Sequence, residues 1–284
     1  MTPRVTVIIA TYNRSEVLRH AIRSVLAQTF TDFELLVVGD GCTDDSEQVV
    51  SGFEDPRVRW INLPANTRHQ SGPNNEGLRQ SRGELIAYLG HDDLWLPHHL
   101  EVLTAAFDSS NCDVAHGLVV DVGPDGAFLW PVAPRPNDGA FSPPSGMVHR
   151  RRMTEEMGGW RDYTVVGVPD MDLWRRAQSR GYAFTFVPRL TAIKFPASWR
   201  RDVYKHRSAH EQADWLRRIE SEPDFEQRLL VRLVTEDHLA AGLPYRDLLR
   251  HFFRQTMSRI SRRLRWLRIR PPQTIDEIRR YKGL

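Results

Sequence analysis

The sequence of 284 residues predicts an α/β fold in which helices flank a mostly parallel sheet. Three observations support this prediction. In the first half of the chain, short apolar runs alternate with amphipathic segments, and the connections between them are short. The first apolar run, residues 5–10, is interrupted only by Thr6, as expected for a strand covered on both faces. Repeated strand–helix units with short connections favour parallel strands and right-handed crossovers.

The remaining elements of the first half follow the same rules. A first helix is predicted after Asn13 or Ser15, either of which can cap it, because the apolar residues from Val17 to Leu26 fall on one stripe. Gly39 interrupts the next apolar run and ends the second strand. The further strands are predicted at residues 33–38, 58–63 and 85–89, and the further helices at residues 45–53, 75–82 and 97–107.

The second half is less regular, and a Pro- and Gly-rich stretch at residues 123–144 predicts a loop or hairpin. Beyond Trp199 the pattern becomes helical and charged. We therefore divide the chain into an α/β domain at residues 1–200 and a basic helical extension at residues 201–284. Within the domain, strands are predicted at residues 114–120, 146–150 and 183–187, and a helix at residues 170–180.

The net charge of +3 conceals an asymmetry between these two parts. Residues 241–284 carry twelve Lys and Arg against three Asp and Glu, so their net charge is +9 and that of residues 1–240 is −6. Residues 245–267 place apolar side chains at three- and four-residue steps opposite arginines, a pattern typical of a helix lying on an anionic membrane surface. The alternative is a helix packed on its own domain or on a second copy in a homodimer.

Composition argues against several classes of protein. No apolar run approaches the ~20 residues that span a bilayer, and the N-terminal apolar segment is too short for a secretion signal. Cys42 and Cys112 are too few for a disulfide framework, so we expect a cytoplasmic protein, with peripheral contact to the inner face of the membrane as an addition. The arginines accompany no recognisable nucleic-acid-binding module, so we expect no nucleic-acid partner.

Two adjacent carboxylates, Asp92 and Asp93, follow the apolar run at residues 85–89. In an open α/β sheet, ligands bind at the carboxyl ends of the strands. Adjacent acids repel each other unless a cation or a donor-rich ligand neutralises them, and hard divalent cations bind carboxylates together with substrate phosphates. The pair therefore predicts a nucleotide diphosphate held through a metal. The alternative is a solvated turn with Asp93 near a helix N-terminus.

Asp40 ends the second predicted strand between two glycines, which let a ligand approach the backbone closely. The first strand delivers Thr11, Tyr12 and Asn13 to the same edge. An Asp at this place can accept the imide N–H of a uracil ring, and Tyr12 can offer a stacking face. The alternative for Asp40 is an ordinary Asp-Gly turn.

Three segments, VTVIIATYNR, FELLVVGDGCTDDS and NNEGLRQSRGELIAYLGHDDLWLP, occur in this order along the chain. In order and spacing they resemble family 2 glycosyltransferases of the GT-A fold, most closely the spore-coat polysaccharide type. The resemblance covers about residues 3–190. It implies a Rossmann-like nucleotide-diphospho-sugar transferase domain with a divalent cation, Mn²⁺ or Mg²⁺, as cofactor.

By position, the resemblance implies roles for single residues. Asp40 matches the acid that binds the uracil ring, Asp92 the acid near the ribose and sugar phosphate, and Asp93 the metal ligand. Gly90 departs from the family pattern, in which a further carboxylate is common, and this weakens the expected metal affinity. The residues expected at the nucleotide are Ala10, Thr11, Tyr12, Asn13, Asp40, Arg68 and Asp92, and those expected at the metal are Asp92 and Asp93.

The segment GWRDYTVVGVPDMDLWRRAQSRGY resembles the family's acidic motif, with Pro169 in place of its usual Glu. It implies that Asp170 is the catalytic base, with Asp172 second, because direct displacement needs a carboxylate to take the acceptor's proton. A spacing of two on a helix points the two side chains to different faces, so only one reaches the site. The alternatives are helix capping for Asp170 and an ion pair with Arg175 or Arg176 for Asp172.

Four further positions are weaker candidates. His149 matches a histidine of the spore-coat type and is a candidate for the acceptor pocket, and Trp160 is a candidate for stacking on a sugar. For both, packing in the core is the alternative. His206 or His210 can complete a metal site, against an exposed position on a helix surface.

Together these features predict an inverting, metal-dependent glycosyltransferase. It moves one sugar from a nucleotide donor, expected to be UDP-linked, to a saccharide or lipid-linked acceptor in polysaccharide or glycoconjugate synthesis. Two alternatives stay open. A catalytically silent module would keep the nucleotide fold, as the missing acids at Gly90 and Pro169 suggest. A nucleotidyltransferase would need a Gly-rich, basic loop after the first strand, and ATYNRSE offers little of it.

Overall fold

A computed structural model of the chain describes residues 2–126, 129–132, 142–206, 208–241, 279, 280, 282 and 283. Strands and helices alternate through the first four strands, and their order is less regular afterwards. The strands are β1 Val5–Thr11, β2 Phe33–Gly39, β3 Val58–Asn62, β4 Leu85–Gly90, β5 Leu94–Trp95, β6 Val114–Val122, β7 Leu129–Val132, β8 Met147–Arg150 and β9 Phe184–Lys194. The helices are α1 Ser15–Leu26, α2 Ser46–Ser51, α3 Ser71–Gln80, α4 His99–Ser109, α5 Arg151–Met157, α6 Tyr163–Val166, α7 Pro169–Ser179, α8 Val203–His206, α9 His210–Ser221 and α10 Phe225–Ala241.

The described strands form one sheet in the order β3-β2-β1-β4-β8-β6-β9-β5, with β7 paired to β6. Strands β1 to β4 are parallel to one another and form the parallel half of the sheet. In its register, Thr11 of β1 pairs with Gly39 of β2, and Ala10 pairs with Gly90 of β4. The carboxyl ends of β2 and β4 therefore flank that of β1 at one edge. The predicted α/β fold with parallel strands is confirmed here.

Strands β5 to β9 form the mixed half of the sheet. Strand β8 runs antiparallel between β4 and β6, and β9 runs parallel to β6. Strand β9 is longer than the predicted strand at residues 183–187 and runs past Pro188. Its register against β6 shifts between His116 and Leu118, where β9 inserts extra residues. Because the inserted residues leave the ladder, the missing N–H of Pro188 costs no strand hydrogen bond.

Apolar side chains cover both faces of the parallel half. Val7 and Ile9 of β1 pack on the face covered by α1 and α4, whereas Ile8 packs on the face covered by α5 and α7. All three are fully buried, which is the arrangement that an apolar strand requires. A third cluster packs Trp215 of α9 and Phe225 of α10 against β9, so the first part of the predicted extension contacts the mixed half.

Several element boundaries differ from the predictions. Helix α1 begins at Ser15, but neither Asn13 nor Ser15 caps it with its own side chain. Instead the backbone N–H of Ser15 donates to Oδ2 of Asp44 at 3.3 Å, a contact that no local pattern encodes. Helix α3 begins four residues before the predicted residue 75, and β5, β7, α5 and α6 are too short to show a sequence period.

Within the described ranges, no helix is long and apolar enough to cross a membrane. The amphipathic helix predicted at residues 245–267 lies outside the described residues. Its contact with a membrane surface stays a prediction.

Candidate functional site

Three of the predicted acids lie at the carboxyl edge of the parallel half. Asp40 follows β2 directly, and Asp92 and Asp93 follow β4 after His91. Since β2 and β4 both flank β1, the fold brings these acids to one edge, as the sequence predicts. The Tyr204 ring of α8 lies at this edge, 6.1 Å from the ring of His91, the residue before Asp92.

Asp40 is held by the loop that follows β3. Its backbone N–H donates to the carbonyl oxygen of Thr11 at 2.8 Å. Its Oδ1 accepts hydrogen bonds from the N–H of Thr67 at 2.8 Å and from Oγ1 of Thr67 at 2.7 Å. Only 4 % of Asp40 is exposed, and this burial raises the pKa of its carboxyl group, against the hydrogen bonds from Thr67.

Gly41 and Asn13 shape the loop around Asp40. Gly41 has a φ of +71°, and a Cβ at this position would lie 2.6 Å from the backbone nitrogen of Asn66, so only glycine fits. The Oδ1 of Asn13 accepts the N–H of Thr43 at 2.8 Å. The side chain of Asn13 therefore supports the loop after Asp40, at the edge where the sequence places it.

The other residues predicted at the nucleotide surround this loop. Ala10 and Tyr12 are partly exposed at the end of β1. Thr11 is buried, and its Oγ1 has no hydrogen-bond partner in the described part of the chain. Arg68 is exposed, with a φ of +71°, and its carbonyl oxygen accepts a hydrogen bond from Arg279.

Asp93 is fully buried, and residues of the mixed half contact both of its carboxylate oxygens. Oδ1 accepts the backbone N–H of Phe195 at 3.0 Å. Oδ2 accepts Oγ of Ser145 at 2.5 Å and lies 3.2 Å from Nζ of Lys194. Burial raises the pKa of Asp93, and the adjacent charge of Asp92 adds to this, while Lys194 opposes it.

Positive charges surround Asp92. Burial favours the neutral form of Asp92, but His91, Lys194 and Arg14 outweigh it and lower the pKa of this carboxyl group. Arg14 is 1 % exposed, and its guanidinium lies 5.1 Å from the centre of the Tyr204 ring. Its Nε and Nη1 are buried without a hydrogen-bond partner among the described residues. Arg14 therefore holds donors that the described residues do not use.

Asp170 and Asp172 have different surroundings on α7. Asp172 is paired with Arg176 at 2.7 Å and with Arg161 at 3.5 Å, and Arg176 also donates to the carbonyl oxygen of Gly159. The ion pair with Arg176 is the alternative that the sequence left open for Asp172. Asp170 is partly exposed, and Oδ1 accepts the N–H of the next residue at 2.9 Å. Of the two acids, Asp172 is thus the one held by ion pairs.

His69 belongs to the loop that holds Asp40, and sequence reasoning missed it. Its Nδ1 is 3.1 Å from Oγ of Ser71, and its ring lies 5.6 Å from that of Tyr163. Burial lowers the pKa of His69 to about 4, against the charge of Asp170, so the ring is neutral near pH 7. No periodicity marks this loop residue, so the sequence carries no signal for it.

The two residues predicted at the acceptor lie in the core. His149 has no exposed surface, and its Nδ1 and Nε2 contact the carbonyl oxygen of Arg150 and the hydroxyl of Tyr88. Trp160 is buried edge-on against Tyr88, with ring centroids 5.1 Å apart. Neither side chain offers a face to an acceptor, so core packing, the alternative for each, corrects the acceptor assignment.

The described C-terminal residues reach this edge. Lys282 lies within electrostatic range of Asp92, Lys194 and Arg14, and its burial lowers the pKa of its ammonium group. A Cβ on Gly283 would lie 3.0 Å from Cγ of Lys205. This contact between the chain's end and the site depends on the tertiary fold.

The model of the family described as glycosyl transferase family 2 matches residues 6–177, which is more than half of the chain. The chain belongs to glycosyl transferase family 2. The family assignment made from the three motifs is confirmed. The likeness to the spore-coat type stays a prediction.

Curated glycosyltransferases are similar to parts of this chain. One is an uncharacterised glycosyltransferase of Nostoc sp., 33 % identical over 54 % of this chain and 53 % of its own length. A second is the GalNAc(5)-diNAcBac-PP-undecaprenol β-1,3-glucosyltransferase of Campylobacter jejuni, 36 % identical over 36 % of this chain and 33 % of its own. A third is the UDP-Glc:α-D-GlcNAc-diphosphoundecaprenol β-1,3-glucosyltransferase WfgD of Escherichia coli, 30 % identical over 40 % of this chain and 44 % of its own. This chain thus spans about half or less of the length of each of these relatives.

Solved structures with the same architecture include other glycosyltransferases. TarS of S. aureus in complex with UDP-GlcNAc superimposes with a TM-score of 0.60 at 18 % identity, over 78 % of this chain and 67 % of TarS. A mannosyltransferase of Pyrobaculum calidifontis in complex with GDP-Man and Mn²⁺ superimposes with a TM-score of 0.57 at 17 % identity, over 87 % of this chain and 83 % of that one. At such identities the likeness establishes the GT-A fold alone.

The acids at the carboxyl edge of this chain, in the arrangement that the structure shows, do not form a site for a divalent cation. Divalent cations need several open oxygen ligands, whereas both oxygens of Asp93, the predicted ligand, accept hydrogen bonds from protein groups. No group of three or more His, Cys, Asp or Glu side chains in the described ranges is placed to hold a metal ion. A Cβ on Gly90 would lie 2.7 Å from Oδ2 of Asp93, so a further acid there would displace this carboxylate.

Sequence reasoning assigned no role to Lys194, although a signal exists. The chain has only three lysines among its 39 basic residues, and Lys194 alone among them follows an apolar run, LTAI. Most basic residues of this chain are arginines, so a lysine at the end of a strand indicates a site that needs a small, compact positive charge.

Proposed function

We propose that this glycosyltransferase moves a sugar from a UDP-sugar donor to a lipid-linked saccharide acceptor, with inversion at the anomeric carbon. The observation that carries the proposal is the meeting of Asp40 and Asp92 at one edge of the sheet. They end the two strands that flank β1, as expected for residues that bind the base and the ribose. Asp170, in the first turn of α7, supplies the third acid.

The names of similar proteins support the choice of substrates. TarS was solved with UDP-GlcNAc, and the name of WfgD gives UDP-Glc as its donor. The names of the Campylobacter and Escherichia relatives both include an undecaprenol-linked diphosphate. The mannosyltransferase was solved with GDP-Man, so the base is the part of the proposal that most needs a direct test.

Asp170 acts as the base in this proposal. Its carboxylate takes the proton of the acceptor hydroxyl. The acceptor oxygen then bonds to the anomeric carbon while the bond from that carbon to the diphosphate oxygen breaks, and the nucleoside diphosphate leaves. Attack on the face opposite the leaving group inverts the anomeric centre, and no covalent enzyme intermediate forms.

Two measurements test this function. In a thermal-shift series with UDP, GDP and TDP, we expect UDP to raise the melting temperature most, because a ligand stabilises the state that binds it. With a UDP-sugar and an undecaprenyl-diphosphate-linked sugar, we expect Asp170→Asn to lower kcat about 10²- to 10⁴-fold with little change in UDP affinity. Asp214→Asn, which removes an exposed acid of α9, is the control and should transfer at the wild-type rate.

The second function to separate is that of a silent binding module, which Gly90 and Pro169 favour because acids common in the family are missing there. Tight UDP binding without turnover on lipid-linked saccharides would support the module and overturn the transferase. A preference for GDP or TDP would instead overturn the assignment of uracil to Asp40.

A further inference from the structure

The ammonium group of Lys194 contacts Asp93, the residue that was predicted to bind a metal cation. Lys194 is the last residue of β9, and its Nζ lies 3.2 Å from Oδ2 of Asp93. Asp93 has no exposed side-chain surface, whereas 29 % of the Lys194 side chain is exposed. Part of the Lys194 side chain is therefore accessible to solvent, although the carboxylate that it contacts is not.

The other partners of Asp93 keep this arrangement in place. Ser145 and the N–H of Phe195 hold the carboxylate from two sides. Oγ of Ser145 also accepts the N–H of Gly90 at 3.1 Å, so the turn after β4 is tied to the same cluster. Of the three protons that an ammonium group can donate, only one goes to Asp93, which leaves donors for a further anion.

Arg14 is an independent observation at the same place. It is almost completely buried, yet its Nε and Nη1 meet no acceptor among the described residues. Buried donors without partners are costly, which indicates that a ligand supplies the acceptors. The Tyr204 ring that Arg14 contacts also lies 6.1 Å from the ring of His91, the residue before Asp92, and Lys194 contacts the residue after Asp92.

We propose that Lys194 and Arg14 form a built-in cation site that binds the donor's diphosphate in place of a divalent cation. This inference rests on the proposed function for the identity of the diphosphate. Ammonium and guanidinium groups donate charge-assisted hydrogen bonds to phosphate oxygens. They offset the negative charge that grows on the diphosphate as its bond to the sugar breaks. Asp92 then serves as an acceptor for a ribose hydroxyl.

The test compares UDP and uridine binding by isothermal titration calorimetry, with the full chain in EDTA and in Mn²⁺. For the wild-type chain we expect the same UDP affinity in both buffers. For Lys194→Met we expect a loss of UDP affinity of about 10- to 100-fold, the value of a hydrogen bond between charged groups. Uridine carries no phosphate, so its affinity should stay at the wild-type value.

Lys194→Met leaves Asp93 as a buried carboxylate without its cation, which destabilises the fold by itself. The double variant Asp93→Asn with Lys194→Met removes both charges together. We expect it to melt above the single variant and to keep the loss of UDP affinity in EDTA. Arg217→Met removes a positive charge from an exposed ion pair on α9 and is the matched control, with unchanged UDP affinity.

Three results would overturn the inference. The first is wild-type binding of UDP that requires Mn²⁺. The second is wild-type UDP affinity in the double variant, because Lys194 would then only neutralise Asp93. The third is an equal loss of UDP and uridine affinity in Lys194→Met. A chain that binds no nucleoside diphosphate in either buffer would instead overturn the proposed function, so the two failures are distinct.

Discussion

The parallel half and the mixed half of the sheet supply the site in different ways. In the parallel half, Asp40, Asp92 and Asp93 follow the ends of their strands within three residues, so position along the chain determines position in the site. In the mixed half, Ser145 and Lys194 reach Asp93 from 52 and 101 residues away. Contacts of the second kind depend on strand pairing across the chain, so the sequence does not show which acid each of these side chains meets.

This difference explains why the position of the acids at the edge of the sheet could be predicted from the sequence and that of their partners could not. A parallel sheet places the ends of neighbouring strands together whatever the loops contain. The partners from the mixed half are set by the register of β6 with β9, which is interrupted by inserted residues. The variants below change α7, the parallel half and the mixed half in turn, and each is compared with a control at an exposed residue or a matched glycine.

The largest effect on stability is expected from Asp172→Ala in α7, the helix that also carries Asp170. It removes the 2.7 Å contact to Arg176 and leaves a largely buried guanidinium without its carboxylate. We expect the free energy of unfolding to fall by about 2–3 kcal/mol. Chemical denaturation measures this, with Asp214→Ala as the exposed comparison, for which the loss should stay below about 1 kcal/mol. Equal losses would mean that the ion pair does not support α7.

Gly41→Ala tests the parallel half against a matched glycine. Gly41 and Gly126 have φ angles of +71° and +68°, so Ala strains both backbones alike. Only at Gly41 would the Cβ meet another backbone, at 2.6 Å from the nitrogen of Asn66. We expect Gly41→Ala to be less stable than Gly126→Ala by about 1–2 kcal/mol and to bind UDP more weakly. Identical denaturation curves would show that the 65–67 loop yields freely.

The smallest effect concerns pH and a histidine of the mixed half. Burial lowers the pKa of His116 to about 4 from an ordinary value of 6.5. The folded state therefore holds this ring neutral, and its contribution to stability is lost as the pH falls from 6.5 towards 4. We expect the melting temperature to fall less between pH 7.5 and 5 in His116→Phe than in the wild type. His210→Gln, an exposed control, should keep the wild-type difference. An unchanged pH dependence in His116→Phe would mean that the ring is solvated.

The outcome for the predicted residues follows the same division. Asp40, Asp92 and the 10–13 segment lie where strand ends placed them, because a buried apolar strand must emerge at the edge of the sheet. His149 and Trp160 were assigned by position in motifs of the mixed half, and both lie in the core. The resemblance carried no information on which way these side chains point: the pairing of β8 with β4 decides it for His149, and packing against Tyr88 decides it for Trp160.

The sequence alone determined the α/β architecture, the family and the acids at the carboxyl edge, because strand period and loop glycines are local properties. Tertiary structure decided what those acids contact. Lys194, Ser145 and Arg14 meet Asp92 and Asp93 only when distant strands and loops pack together. Whether a buried carboxylate faces solvent, a metal or an ammonium group depends on that packing, because burial and nearby charge are set by the whole fold.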